Sequence, residues 1–173
     1  MKENKIKAYM EAIKCIANEL SPDADTKVGA ALINQRGKQI ATGYNGFAWG
    51  AQDNALPCAR DEKCSNGHDK YHYMQHAERN ILYNCLDEGI STRGCTLLTT
   101  LSPCLDCLRA CHQARIKTII FDELYWRFKD IGFYTELKDI GVEVRMVGKY
   151  TVLDLIPMKE FNSLKALSWK FCE

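Results

Sequence analysis

The sequence predicts an α/β fold in which a mixed sheet of about five strands lies between two layers of helices, a three-layer α/β/α sandwich. Three observations support this prediction. Apolar residues recur at helical spacing near the start of the chain, a hairpin turn joins two strands between residues 28 and 44, and strands alternate with helices after residue 75. The hairpin is antiparallel and the alternation favours parallel pairing, so the sheet is predicted to be mixed.

Composition places the chain among ordinary globular proteins. It has 173 residues, of which 46% are hydrophobic and 26% charged, so we expect a single domain over residues 1–173. A net charge of +1 gives no indication of the basic surface that a polynucleotide-binding protein needs. No apolar run approaches the roughly 20 residues that span a membrane. The nine cysteines are odd in number and no export signal is visible, which favours reduced thiols in the cytoplasm.

The first half of the chain predicts a helix and a hairpin. The helix is expected over residues 6–20 and ends at Ser21-Pro22-Asp23. Its apolar positions are Ile6, Tyr9, Met10, Ile13, Ile16 and Leu20. Residues 28–33 and 39–44 predict two strands, joined by a turn at residues 35–37.

The second half alternates strands with helices. A helix is expected to open at His76 and to end at Gly89. Its predicted core face is Ile81, Leu82, Cys85 and Leu86. A strand over 95–100 leads into a second helix, whose Leu108 and Cys111 should face inward. Further strands are expected over 118–121 and 142–147, with a helix over 128–137 between them; an edge strand around 153–156 and a helix over 158–169 would close the domain.

A long segment without periodicity, residues 47–70, separates the two halves. Loops of this length inside compact domains are uncommon and often functional. Four potential ligands fall in or just after it: Cys58, Cys64, His68 and His72. They could form a second, structural zinc site, or they could be unrelated thiols and surface histidines, and their spacing does not decide between the two.

The strongest chemical signal is His76-Ala77-Glu78 followed by Pro103-Cys104-Leu105-Asp106-Cys107. One histidine and two cysteines supply three zinc ligands, and catalytic zinc sites keep three protein ligands and one open position. Two thiolates and a neutral imidazole balance the charge of Zn²⁺. We expect Pro103 at the first helical position, His76 at the very start of its helix and Glu78 in the first turn beside the metal.

This arrangement predicts hydrolytic chemistry on an amino-substituted ring. Zinc lowers the pKa of a bound water towards about 7. Glu78 can take a proton from that water and pass it to the ring nitrogen and the departing amine, as general base and then general acid. Cytosine C4 and adenine C6 both qualify as targets, and the H-x-E…P-C-x-x-C pattern resembles the signature of zinc nucleobase deaminases.

Beyond the zinc residues, the chain resembles the deoxycytidylate deaminases from about residue 25 to residue 147. The segments that carry the resemblance are Thr26-Lys27-Val28-Gly29-Ala30, Thr42-Gly43-Tyr44-Asn45-Gly46, Leu56-Pro57, Lys70-Tyr71, His76-Ala77-Glu78-Arg79-Asn80 and Ser102-Pro103-Cys104-Leu105-Asp106-Cys107. The chain departs from the family pattern at Ala48, Ile81 and Arg115, where proline, alanine and glycine are common.

The resemblance implies a cytidine deaminase-like fold and the conversion of dCMP to dUMP, which feeds thymidylate synthesis. It implies that Asn45 contacts the nucleotide and that Tyr125 lies near the pocket. It also implies a homohexamer, activated by dCTP and inhibited by dTTP with Mg²⁺. Ala48 lies near the loop that carries the family's regulatory site.

Three other functions fit the zinc residues. A deaminase of tRNA adenosine would favour a basic surface, against which the near-neutral charge counts. A deaminase of free nucleosides or bases would share the zinc residues and need no phosphate pocket. A non-enzymatic zinc module would use a fourth protein ligand and would have no use for Glu78.

Overall fold

A computed structural model describes residues 1–51, 55–125, 137 and 142–155. The helices are α1 (Glu3–Leu20), α2 (Lys70–Tyr73), α3 (Ala77–Asp87) and α4 (Leu105–Gln113). The strands are β1 (Gly29–Ile33), β2 (Gln39–Tyr44), β3 (Gly46–Phe47), β4 (Met74–Gln75), β5 (Thr96–Leu101), β6 (Thr118–Glu123), β7 (Glu143–Val147) and β8 (Tyr150–Asp154). In this part of the chain no helix combines the length and the apolar character needed to cross a bilayer.

The predicted α/β class is confirmed, with one more strand than expected. Within the described residues the main sheet has six strands in the order β2-β1-β5-β6-β8-β7, and β3 and β4 form a small second ladder. The β1–β2 hairpin is antiparallel, as predicted, and β5 and β6 are parallel. Because the sheet contains both kinds of pairing, it is mixed.

Two apolar clusters lie on opposite faces of the sheet, because successive strand residues point to opposite sides. In β1, Ala30 and Leu32 belong to the cluster beneath α3 and α4, whereas Ala31 and Ile33 belong to the cluster beneath α1. The α1 residues in contact with the sheet are Ile6, Met10 and Ile13, spaced as an amphipathic helix requires. The sheet is therefore covered by helices on both faces, as the sequence predicts.

The last part of the sheet differs from the prediction. The strand expected at the edge around residues 153–156 is β8, which begins at Tyr150 and lies between β6 and β7. Gly148 adopts a positive φ of 58° in the short turn between β7 and β8, so these strands pair as an antiparallel hairpin instead of continuing the parallel pairing. The strand at that edge is β7.

Three local predictions were also wrong. Leu20 and Leu86 are 56% and 80% exposed, because α1 and α3 bury only the stripe that faces the sheet. Pro103 precedes α4 by two positions, and Cys104 takes the N-cap. The predicted helices over residues 128–137 and 158–169 fall almost entirely outside the described residues.

Candidate active site

Two helix starts meet at one end of the sheet. His76 is the N-cap of α3, which follows β4 directly, and Cys104 is the N-cap of α4, three residues after the end of β5. Cys107 lies in the first turn of α4, and its backbone N–H donates to Cys104 Sγ at 3.4 Å. The predicted position of His76 at the very start of its helix is confirmed. Since an N-cap has extended backbone, both side chains can turn back across their helix ends towards each other.

A glycine sets the distance between α3 and the sheet. A Cβ atom on Gly43 of β2 would lie 3.0 Å from the Ala77 carbonyl oxygen and 3.0 Å from the Ile81 backbone nitrogen. Such contacts are too close for any other residue without a shift of the helix. Gly43 thus allows the first turn of α3, which carries His76 and Glu78, to lie directly on the strand.

The three predicted ligands come together. His76 Nδ1 lies 3.6 Å from Cys104 Sγ and 3.4 Å from Cys107 Sγ. The three ligand atoms all lie within 4.8 Å of one another. A tetrahedral zinc with bonds of about 2.3 Å to sulfur and about 2.0 Å to nitrogen requires a sulfur–nitrogen separation of about 3.5 Å. The donor atoms and their spacing therefore fit zinc, and we call these three residues the metal cluster.

Electrostatics within the metal cluster favour a thiolate. Hydrogen bonds from the Cys107 thiol and from His76 lower the pKa of Cys104 from 9.0 to about 3, against the opposing effect of burial. The same contact with Cys104, together with burial, raises the pKa of Cys107. A hydrogen bond with Cys104 also raises the pKa of His76. One thiolate is thus already available as a metal ligand.

Glu78 lies in the first turn of α3, as predicted, and is only 3% exposed. Burial raises the pKa of its carboxyl group above the ordinary value of 4.5. A raised pKa moves the carboxyl group towards the range in which one side chain can serve as general base and then as general acid. Glu78 lines the same cavity as His76 and Cys104.

The metal cluster opens onto a cavity of about 430 Å³, a size that suits a small-molecule ligand. The residues that line it are Asp23, Thr26, Val28, Asn45, Lys70, Tyr71, Met74, His76, Ala77, Glu78, Leu101, Ser102, Cys104 and Tyr125. A larger groove, which shares none of these residues, lies beside the start of α1 and the β1–β2 turn. Only the smaller cavity reaches residues that can perform the predicted chemistry.

One part of the cavity wall consists of buried polar groups, which we call the polar wall: Asp23, Asn45 and Lys70. Lys70 Nζ lies 2.6 Å from Asp23 Oδ1 and 2.7 Å from Asp25 Oδ2, and its side chain is 2% exposed. Removal of one member of a buried ion pair leaves an uncompensated charge, so this lysine is held firmly in place. Sequence reasoning missed the polar wall as a unit, although Lys70-Tyr71 was already part of the family resemblance.

Asn45, predicted to contact a nucleotide, lines the cavity with its side-chain amide fully engaged. Its Nδ2 donates to Asp23 Oδ2 at 3.1 Å and to the Thr26 carbonyl oxygen at 2.8 Å. Its Oδ1 accepts from Ser21 Oγ at 2.8 Å and from the Val28 N–H at 2.7 Å. Asn45 therefore fastens the segment between α1 and β1 to the cavity wall.

Tyr125 also lines the cavity, close to the place where the sequence predicted it. Its backbone N–H donates to Ser102 Oγ at 2.9 Å. This bond ties the end of β6 to the segment that leads into α4. Tyr125 is therefore positioned by the same strand ends that carry Cys104.

The four residues considered as ligands of a second zinc do not bring their ligand atoms together at one point. His68 and His72 stack with ring centroids 3.9 Å apart, and the Cys64 N–H donates to the His68 carbonyl oxygen at 2.9 Å. Among the residues that the structure describes, the metal cluster is the one group of three potential ligands within 4.8 Å of one another. Cys58, Cys64, His68 and His72 form no such group.

Comparison with known proteins connects this site to one family. A family model described as the cytidine and deoxycytidylate deaminase zinc-binding region matches residues 3–123. Human deoxycytidylate deaminase is 34% identical over 113 residues, which cover 65% of this chain and 62% of the human protein. ComE operon protein 2 of Bacillus subtilis is 36% identical over 121 residues, which cover 69% of this chain and 59% of that protein. The chain thus spans about three fifths of the length of these curated relatives.

A solved structure is also similar. The crystal structure of dCMP deaminase from the cyanophage S-TIM5, in complex with dCMP and dUMP, matches with a TM-score of 0.62 and 28% identity. The match covers 75% of this chain and 88% of the phage protein. The fold of this chain therefore also occurs in a protein whose crystal structure contains dCMP and dUMP.

Proposed function

The chain belongs to the cytidine and deoxycytidylate deaminase family, and from this premise we propose that it hydrolyses dCMP to dUMP and ammonia. The observation that carries the proposal is the metal cluster with buried Glu78 beside it in one cavity. The named relatives and the phage structure support dCMP as the substrate. The dUMP would supply thymidylate synthesis.

In the proposed mechanism, His76, Cys104 and Cys107 hold the zinc ion. When bound, zinc supplies Lewis acidity and lowers the pKa of water so that it can attack at neutral pH. Glu78 takes one proton from the attacking water and delivers it to N3 of the cytosine ring. It then takes the remaining proton from the hydroxyl group now attached to C4 and delivers it to the 4-amino group, which leaves as ammonia while a carbonyl group forms at C4.

Glu78 suits this role because burial raises the pKa of its carboxyl group, which makes it both a base for the water and an acid for the amine. Tyr125 and Asn45 would border the nucleotide, as the family resemblance implies. Because the amide of Asn45 is engaged by the protein, we propose that it mainly shapes the wall.

Regulation is a further part of the proposal. By family resemblance, dCTP would activate a homohexamer and dTTP with Mg²⁺ would inhibit it. The family's regulatory site lies near the loop that follows Gly46, where Ala48 replaces the usual proline. Assays with each effector, together with light scattering for the oligomeric state, test regulation separately from catalysis.

A substrate panel tests the proposed activity. Zinc-loaded protein is incubated with dCMP, CMP, deoxycytidine, AMP and a tRNA anticodon stem-loop, and ammonia release is measured. We expect dCMP to give the highest kcat/KM. Equal rates on dCMP and deoxycytidine would indicate a nucleoside enzyme, and ammonia from the adenine substrates alone would overturn the proposal.

A further inference from the structure

Lys70 is the obvious cation beside the cavity, but its charge is already used. Two carboxylates hold its ammonium group at 2.6 and 2.7 Å. Asp23 and Asp25 together carry one more charge than Lys70 neutralises. A substrate phosphate that entered beside this group would therefore meet excess negative charge, unless another cation receives it.

Arg60 is an exposed cation next to this group. Its backbone N–H donates to Asp25 Oδ2 at 2.7 Å, and its side-chain Nε donates to the Tyr71 hydroxyl at 3.1 Å. Tyr71 and Tyr125 both line the cavity, and both interact electrostatically with the guanidinium group, Tyr71 more strongly. Arg60 thus lies at the rim of the cavity, beside two of its tyrosines.

The terminal nitrogens of Arg60 remain open to a ligand. A guanidinium group has five N–H donors, of which the Nε–H is the one given to Tyr71. Within residues 1–51, 55–125, 137 and 142–155, no hydrogen bond or ion pair engages Nη1 or Nη2. Two parallel N–H groups on one planar fork match the oxygens of a phosphate.

We propose that Arg60 binds the 5′-phosphate of the nucleotide and thereby selects nucleotides over nucleosides, an inference that rests on the proposed function. Tyr71 and Asp25 are the positioning residues: Asp25 holds the arginine backbone and Tyr71 holds Nε, which leaves the terminal nitrogens for the phosphate. Binding energy from the phosphate would then be used to orient the cytosine ring towards Glu78.

Other nearby arginines fit this role less well. Arg109 lies 3.4 Å from Asp106 and is thus already paired. Arg79 is half-buried in the first turn of α3, close enough to oppose a positive charge on His76, which places it beside the metal cluster. A guanidinium group beside the metal cluster would be near the base of a bound nucleotide, whereas Arg60 lies beside the polar wall.

The test compares substrates with and without the phosphate. Arg60→Gln should lower kcat/KM for dCMP roughly 10- to 100-fold, the usual value of a hydrogen bond to a charged group, and leave kcat/KM for deoxycytidine unchanged. Arg60→Lys should recover only part of the loss, because an ammonium group lacks the planar fork. Lys63→Gln is the matched control, since it removes the same charge from the same exposed loop.

Calorimetric binding of dUMP and deoxyuridine provides a second readout that does not need turnover. Arg60→Gln should lower the affinity for dUMP and leave the affinity for deoxyuridine unchanged. The inference is overturned if Arg60→Gln changes nothing, or if it weakens the nucleotide and the matching nucleoside equally. It is also overturned if Arg79→Gln, and not Arg60→Gln, selectively weakens the nucleotide. If the wild-type protein deaminates neither cytosine substrate yet needs Arg60 to bind dUMP, the proposed function fails and the phosphate site stands.

Discussion

The metal cluster and the polar wall border one cavity but are built in different ways. Each half of the metal cluster is local: His76 begins α3, and Cys104 and Cys107 begin α4. The polar wall joins distant segments, with Lys70 and Asp23 separated by 47 residues along the chain. The metal cluster is thus placed by helix starts, whereas the polar wall is placed by the tertiary fold.

The difference has consequences for stability. His76 and Cys104 of the metal cluster line the cavity, so we expect the loss of either donor to leave the helices and the sheet in place. Lys70 is buried between two carboxylates, so its removal leaves negative charge inside the protein without a partner. We therefore expect substitutions in the metal cluster to act on activity and substitutions in the polar wall to act on folding.

The largest effect is expected at the metal cluster. Cys104→Ala should reduce bound zinc from about one ion per chain to near zero and ammonia release to background, because one of three donors is lost. Elemental analysis measures the bound zinc, and the ammonia assay measures the activity. Cys15→Ala, at an exposed thiol, is the control and should change neither. Full activity in Cys104→Ala would contradict the ligand assignment.

A smaller effect, of a different kind, is expected at the polar wall. Lys70→Met should lower the free energy of unfolding by about 3 kcal/mol, because Asp23 is left buried and unpaired. Urea denaturation measures the loss, and Lys63→Met, on the exposed surface, should be neutral. Zinc content of the folded fraction should stay the same. Unchanged stability would mean that the ion pairs do not fasten this wall.

The smallest effect concerns acid stability. The hydrogen bond from Lys70 holds the pKa of Asp25 below its ordinary value of 3.8. The ionised carboxyl group therefore stabilises the folded state above pH 3.8, and this contribution is lost as the pH falls from there through the lower folded-state pKa. Urea midpoints of Asp25→Asn and wild type should differ at pH 6 and approach each other as the pH falls below 3.8. If the difference between the two urea midpoints stays the same at all pH values, Asp25 does not contribute to the loss of stability in acid.

The same contrast explains what sequence reasoning could reach. The amphipathic period of α1 and the residues of the metal cluster are short-range patterns, so the α/β class and the meeting of His76 with both cysteines were predicted correctly. The contact between Lys70 and Asp23 leaves no local signature, because it depends on how α2 packs against the segment after α1. The prediction that Leu86 lies on the core face was wrong, because helical spacing does not show where the sheet beneath the helix ends.

The β7–β8 hairpin was missed for a related reason. Gly148 signals a turn, but a turn alone does not decide whether the next strand pairs with its neighbour or crosses over. For Cys58, Cys64, His68 and His72 the sequence left two interpretations open, a second zinc site or unrelated thiols and histidines, because residue types alone do not fix distances. In the structure His68 stacks on His72, and within the described residues these four side chains form no group of three ligands.

The most direct test of the account is Glu78→Gln, assayed for zinc content and for ammonia release from dCMP. Glutamine keeps the shape of the side chain but cannot accept or release the proton. We expect wild-type zinc content with kcat lower by about 10²- to 10⁴-fold, the usual contribution of a general acid–base group. A Glu78→Gln protein that binds zinc and turns over dCMP at the wild-type rate would contradict the central claim.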